Sequence, residues 1–235
     1  MADSQGGEDA PSRDDGLLSL LPERMALPRG RSALPKSAVE ESRRGRILQA
    51  TLDEVAASGY AATTVALITR RAHVSRTSFY EAFADKEDAF AAAHWNATDL
   101  SLTRIWKPAL RLRDLHFNDR IRRLVTAYVE VLEAEPTFAT CFFVEIRSAG
   151  ERLATQREEM LDRHVEIMHE LAKVSSEGDG SLRVPSRDVL CGLVGAFDEL
   201  VSRTVRRQRG RDQGLDLSGV VEPFTELLLG VVRAD

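Results

Sequence analysis

The run Ser75-Arg76-Thr77-Ser78, with Tyr80 close behind, gathers a guanidinium and several hydroxyls at what reads as the start of a short helix. Those groups suit a hydrogen-bonding polyanion. Arg donates in pairs to guanine, Ser and Thr bond base edges, and Tyr80, Thr64 at a preceding helix start and Lys86 just beyond suit phosphate oxygens. Catalysis has less to work with, since the sequence holds no G-x-S-x-G elbow, no G-x-x-x-x-G-K-[ST] loop, no G-x-G-x-x-G and no H-E-x-x-H. His164 and His169 lie five apart and would point about 140° away from each other on a helix, so they cannot share a metal. Cys141 and Cys191 sit inside apolar runs, which leaves neither a disulfide framework nor a four-ligand zinc site. The expectation is a protein that binds rather than catalyses, with no cofactor and no metal.

Holding such a turn outward requires short helices packed on longer ones. Ser37 and Glu40 form an S-x-x-E capping box ahead of a helix in which Ile47, Leu48, Thr51, Leu52, Val55 and Ala56 recur at helical spacing until Gly59. Thr63-Thr64 offers a cap for a helix over 65–72, and after a break at His73-Val74, Ser75 caps another over 76–83. Two short helices across a three-to-four-residue turn have the layout of a helix-turn-helix, whose second helix enters the major groove. At that length the second helix is unstable alone, so Val65, Ile68, Val74, Phe79 and Phe83 must bind it to its neighbours and leave its polar first turn outside. Asp85 caps a fourth helix that stops before Pro108. Further helical stretches follow at about 119–134, 136–149, 151–174, 186–209 and 217–232. Nothing alternates as a strand does. The fold class is all-α, with a three-helix helix-turn-helix head over 37–84 and a helical body over 85–235.

Of 235 residues, 32 are Lys or Arg and 37 are Asp or Glu, a formal net charge of −5, and 43% are hydrophobic, enough for a sizeable core. The charge is uneven. Between Arg24 and Tyr80 ten basic residues face four acidic ones, a local excess of six that leaves −11 to the rest of the chain. Positive potential gathered at one end favours phosphate. Residues 1–36, rich in Gly, Pro, Ser, Asp and Arg, read as a tail, acidic at first and then basic through Leu27-Pro28-Arg29-Gly30-Arg31. It suits an arm reaching for an anion or a solvated linker. No stretch reaches the roughly 18 apolar residues of a membrane span, and Asp3, Glu8 and Asp9 stand where a signal peptide would be basic, so a cytoplasmic location is expected.

The run from Ala62 to Phe90, with its Ser75 cap, its Phe79-Tyr80 pair, Phe83 and Lys86-Glu87, resembles the signature of the tetracycline-repressor (TetR) family. Together with Arg46-Ile47-Leu48-Gln49-Ala50 and Gly59-Tyr60, the resemblance covers about residues 40–100. It implies a DNA-binding head on an all-helical body, working as a homodimer that represses transcription at a double-stranded operator until a small molecule binds the body. Carried over by position, it puts base reading on Arg76, Thr77 and Ser78 and phosphate contacts on Thr64, Tyr80 and Lys86. Two departures stand out. His73 occupies the turn where the family commonly has Gly, a place suited to a positive φ, and the acidic segment 1–22 is foreign to the family core.

The body resembles the family only in size, helical content and order. The last two helices, at about 186–209 and 217–232, stand where such proteins pair with a second subunit, and Gly192, Gly195 and Ala196 would let another helix approach closely. The same apolar face, from Leu190 to Val205, also reads as internal core, with pairing to a second subunit the favoured reading. For an effector pocket the candidates are Trp95, Trp106, Phe117, Phe138, Phe142, Phe143 and Met168, with Glu145, His164 and Asp198 as polar anchors, all of which also suit ordinary packing. Their content suggests an apolar ligand. The basic run Arg203, Arg206, Arg207, Arg209 and Arg211 reads as favourable charge at a helix C-terminus. The alternative to a regulator is a small-molecule carrier or adaptor that keeps the fold without binding operator.

Overall fold

The helical spacing of the first apolar stretch is realised in α1 (Lys36–Ser58), the first of nine α-helices among the described residues of a computed structural model. The structure describes residues 36–109, 116–178, 180–210 and 214–233, without the side chains of 36 and 99–109. The N-terminal tail expected over 1–36 falls outside them but for Lys36, and so does the side chain of Trp106. Ser37 lies within the first turn of α1, because the helix is already under way at Lys36, so the expected capping box does not form the helix boundary.

The short helices follow as expected: α2 (Val65–Ala72) and α3 (Arg76–Ala82). Next comes α4 (Lys86–Ala109), whose start is fixed by a reciprocal pair in which Asp85 accepts from Asp88 N (2.8 Å) and Asp88 accepts from Ala84 N (3.1 Å). This helix runs on through Pro108, where a stop was expected; a proline in a last turn removes one backbone bond without an interior to break. The body then adds α5 (Phe117–Ala134), α6 (Pro136–Phe143), α7 (Glu151–Gly178), α8 (Arg187–Gln208, capped by Ser186) and α9 (Ser218–Val232). The stretch expected to be one helix over 136–149 is divided at Val144, and a 3-10 turn, Glu145–Ser148, follows.

Two apolar cores hold this arrangement. In the first, Ile47, Leu52 and Val55 of α1, Ile68 of α2, Phe79 of α3 and Phe90 of α4 are fully shielded. Each such side chain contributes about 1.5–3 kcal/mol of burial, which is what keeps helices as short as α2 and α3 in place. Cys141, Ile146 and Leu153 of the body join that core, so packing continues across the junction at 84–85. The second core lies among α5 to α9, around Phe138, Phe142, Phe143, Phe197 and Phe224. No helix among the described residues is long and apolar enough to cross a membrane.

Candidate nucleic-acid interface

Three local devices aim α3. Thr64 caps α2 by accepting from Leu67 N at 3.3 Å. The chain then reverses at His73, which adopts φ 53° and ψ 47°, the left-handed conformation expected of this turn, while Val74 N donates back to Thr69 O at 3.1 Å. Ser75 caps α3, its Oγ accepting from Ser78 N and donating to Ser78 Oγ, both at 3.0 Å. On the inner side Phe79 is fully buried, packed edge-on against Tyr80 (5.5 Å) and tilted against Phe83 (5.9 Å). On the outer side Arg76 and Thr77 are exposed, Ser78 is half-buried with its own hydroxyl proton left to donate, and Tyr80 is 52% exposed. Thr64 is exposed at the start of α2.

The basic residues divide into two sets, which composition alone does not separate. Arg44 lies 4.3 Å over the Phe83 ring and donates to Ala82 O, Arg46 donates to Ala72 O, Arg43 pairs with Glu81, and Arg71 pairs with Glu54. These four hold α1 to the C-terminal ends of α2 and α3 and steady the acidic partners. The side chains of Arg70 and Arg76 make no ion pair or hydrogen bond among the described residues, and both residues are exposed. Lys86 belongs to the engaged set. Its Nζ donates to Tyr60 O (2.9 Å), Thr63 O (2.8 Å) and Ala61 O (3.5 Å) and sits 4.4 Å over the Tyr60 ring, so the side chain expected at phosphate pins the turn that leads into α2.

The body encloses a cavity of about 60 Å³ lined chiefly by aromatic and aliphatic side chains, among them Phe142, Phe143, Met168, Phe197 and Phe224. Polar groups reach it from Tyr128, His164 and Asp198. His164 donates Nδ1–H to Met160 O at 2.7 Å, and burial holds its pKa below the usual imidazole value. Burial pushes the Tyr128 phenol up, with the Asp198 charge adding to it. Asp198 Oδ2 is clamped between Arg147 and Arg157, while Oδ1 is buried with no hydrogen-bond partner among the described residues. A second cavity of about 60 Å³, which Phe117 helps to line, shares Leu124, Met168 and Leu228 with the first.

Of the pocket candidates, Phe142, His164 and Met168 therefore line the cavity, as do Phe143 and Asp198. Phe138 does not; it is buried one layer back, 5.1 Å from Phe142, because α6 turns its side chain into the core. Trp95 is 40% exposed on the outer face of α4, with Arg163 over its ring at 5.3 Å. Glu145 is drawn away by charge and hydrogen bonding: it pairs with Arg209 (2.6 Å) and accepts from Tyr60 N (2.8 Å) at the junction of head and body.

Residues 47–93 match the family described as bacterial regulatory proteins, tetR family. The match spans the helix-turn-helix, from within α1 to within α4. Among solved structures, the fatty acid degradation regulator FadR from Bacillus halodurans is 22% identical, with a TM-score of 0.66 over 80% of this chain and 94% of that one. The regulator FadR from Bacillus subtilis in complex with stearoyl-CoA is 17% identical, with a TM-score of 0.66 over 80% and 98%. A TetR family transcription regulator from Marinobacter aquaeolei is 19% identical, with a TM-score of 0.57 over 85% and 100%. At these identities the likeness is one of fold. No curated protein matches the chain.

The residues that sequence reasoning missed lie between the head and the body. Arg209, read as a helix-end charge, bridges Glu145 and Ala56 O (3.3 Å). Arg147, in the same 3-10 turn as Glu145, reaches the cavity carboxylate Asp198. One four-residue turn thus touches the cavity wall and the backbone of the head. Partners 51 to 153 positions apart leave no local spacing to read.

Proposed function

We propose that the protein is a homodimeric, ligand-responsive repressor that reads a two-fold related operator through the first turn of α3. The observation that carries this reading is the outward Arg76-Thr77 turn on a helix locked by Phe79 and by its own cap. A second copy supplies the matching head, since one such helix contacts too few bases for specificity, and paired heads address half-sites about 34–36 Å apart or a multiple of that. The outer faces of α8 and α9 favour pairing: a Cβ at Gly192, Gly195, Gly219 or Gly230 would meet nothing within 4 Å, and Val189 and Leu227 are exposed beside them.

The effector reading rests on the apolar cavity between α5, α6, α7, α8 and α9, and a regulator of this fold from Bacillus subtilis holds stearoyl-CoA. A volume of about 60 Å³ is far below the roughly 300–1,000 Å³ of a typical ligand site, so binding must open the body. Opening disturbs Asp198, hence Arg147 and the 3-10 turn, hence the Glu145–Tyr60 bond that holds the head; α4, which starts beside α3, is the second route.

Equilibrium binding to duplex DNA flanking the protein's own gene tests the reading. Arg76→Ala should relax preference at one base position, whereas Arg70→Ala should weaken all sequences alike and lower the salt slope by about 1. A wild-type protein that binds no duplex, while a small molecule still enters the cavity, would favour the carrier alternative.

A further inference from the structure

The cavity wall is unusual in what it offers a ligand. Asp198 is 3% exposed, its Oδ2 is taken by Arg147 and Arg157, and Oδ1 remains buried without a donor. His164 spends Nδ1–H on Met160 O, which leaves the neutral ring with an Nε2 lone pair. Neither arginine lines the cavity. The lining is almost wholly apolar; its polar side chains are Tyr128, whose phenol can donate or accept, His164 and Asp198, and of these Asp198 Oδ1 is the buried acceptor left without a donor. Arg147 and Arg157 already balance the charge of Asp198, so an added ammonium meets like charge. The rest of the wall is apolar. Met168, with Leu124 and Leu228, stands between this cavity and its neighbour, and a methionine that swings aside joins the two into one channel.

We propose that this site takes an elongated apolar molecule ending in an uncharged hydrogen-bond donor, a hydroxyl above all, which donates to Asp198 Oδ1. The proposal rests on the reading of the cavity as the effector site. It sets the ligand apart from a carboxylate, which offers only acceptors to an Asp198 Oδ1 that itself lacks a donor.

Isothermal calorimetry on the full chain with decan-1-ol, methyl nonyl ether, decanoate and decylamine tests it. The ether matches the alcohol in length and lacks only the donor. Decan-1-ol should bind about tenfold tighter than the ether. In Asp198→Asn the single amide oxygen faces the arginines and the NH2 faces the cavity, so alcohol and ether should come within about twofold, because either can accept from it. Met168→Trp should abolish binding of both, and Leu161→Phe fills the same space if that variant does not fold. Equal alcohol and ether affinities in the wild type, or tighter decanoate or decylamine, overturn the donor inference while the effector reading stands if Met168→Trp still abolishes binding. No binding of any probe, or binding indifferent to both filling variants, overturns both.

Discussion

The head and the body treat their buried polar groups differently. Among the described residues, the buried side-chain atoms left without a hydrogen-bond partner are His94 Nε2, Arg157 Nε, His169 Nδ1 and Asp198 Oδ1, all on α4, α7 and α8, and none on α1, α2 or α3. The carbonyls of the head draw in long cations: Arg44 and Arg46 bond the ends of α3 and α2, and Lys86, at the start of α4, bonds the Tyr60–Thr63 turn. A part with its groups satisfied resists rearrangement, whereas a part with open cavities and unmet acceptors has a second arrangement within reach. The division suits a reader that must stay rigid and a sensor that must yield.

Removing the anchor of the reader should give the largest effect. Phe79→Ala deletes a fully buried ring and is expected to cost about 3–5 kcal/mol, read as a lower urea midpoint. Because Cys141, Ile146 and Leu153 share that core, loss should reach the body as well, in a single transition. Two separate transitions would show that the cores are independent and weaken the comparison.

Acidification probes the body's side of it. Burial, with Arg157 nearby, pushes His94 down to about 3, and the ring accepts from Gln156 at 3.1 Å and stacks 4.9 Å from Phe142. In the unfolded chain the same group takes a proton near pH 6.5. The unfolded state therefore binds more protons below pH 6.5, and this contribution is fully present above pH 6.5 and lost as pH falls toward 3. The slope approaches about 1.4 kcal/mol per pH unit for one group, and His164, also held low, adds in the same direction. Denaturation at pH 7 and pH 5 should differ by about 2 kcal/mol, and His94→Gln should reduce the difference. An unchanged difference in that variant would place the pH dependence elsewhere.

The smallest effect belongs to the turn. His73 is exposed with φ 53°, so His73→Gly should relieve left-handed strain and raise stability by up to about 1 kcal/mol, seen as a higher melting temperature. A lower one would mean that the ring is held by contacts worth more than the strain.

The head was legible because its determinants are local. Thr64, Ser75 and Asp85 each bond a backbone N–H three residues on, and α2 begins and ends where the caps and the His73 turn imply. The body hides its determinants in long-range pairs. The apolar run Phe142-Phe143-Val144-Glu145-Ile146 gives no reason to stop a helix, yet α6 ends at Phe143, and Glu145 and Arg147 of the following turn bind Tyr60 N, Arg209 and Asp198. Phe138 and Phe142, one turn apart on α6, read alike in the sequence, and only the neighbouring helices decide that Phe142 lines the cavity.

Selection from a random pool of duplex DNA tests the central claim most directly, because it presumes no operator. The wild-type protein should enrich an inverted repeat whose half-site centres lie about 34–36 Å apart or a multiple of that, and Arg76→Ala with Thr77→Ala should lose the enrichment while retaining the fold by circular dichroism. Enrichment of no sequence, or of the same sequence by the wild type and the double variant, would contradict base reading by the first turn of α3.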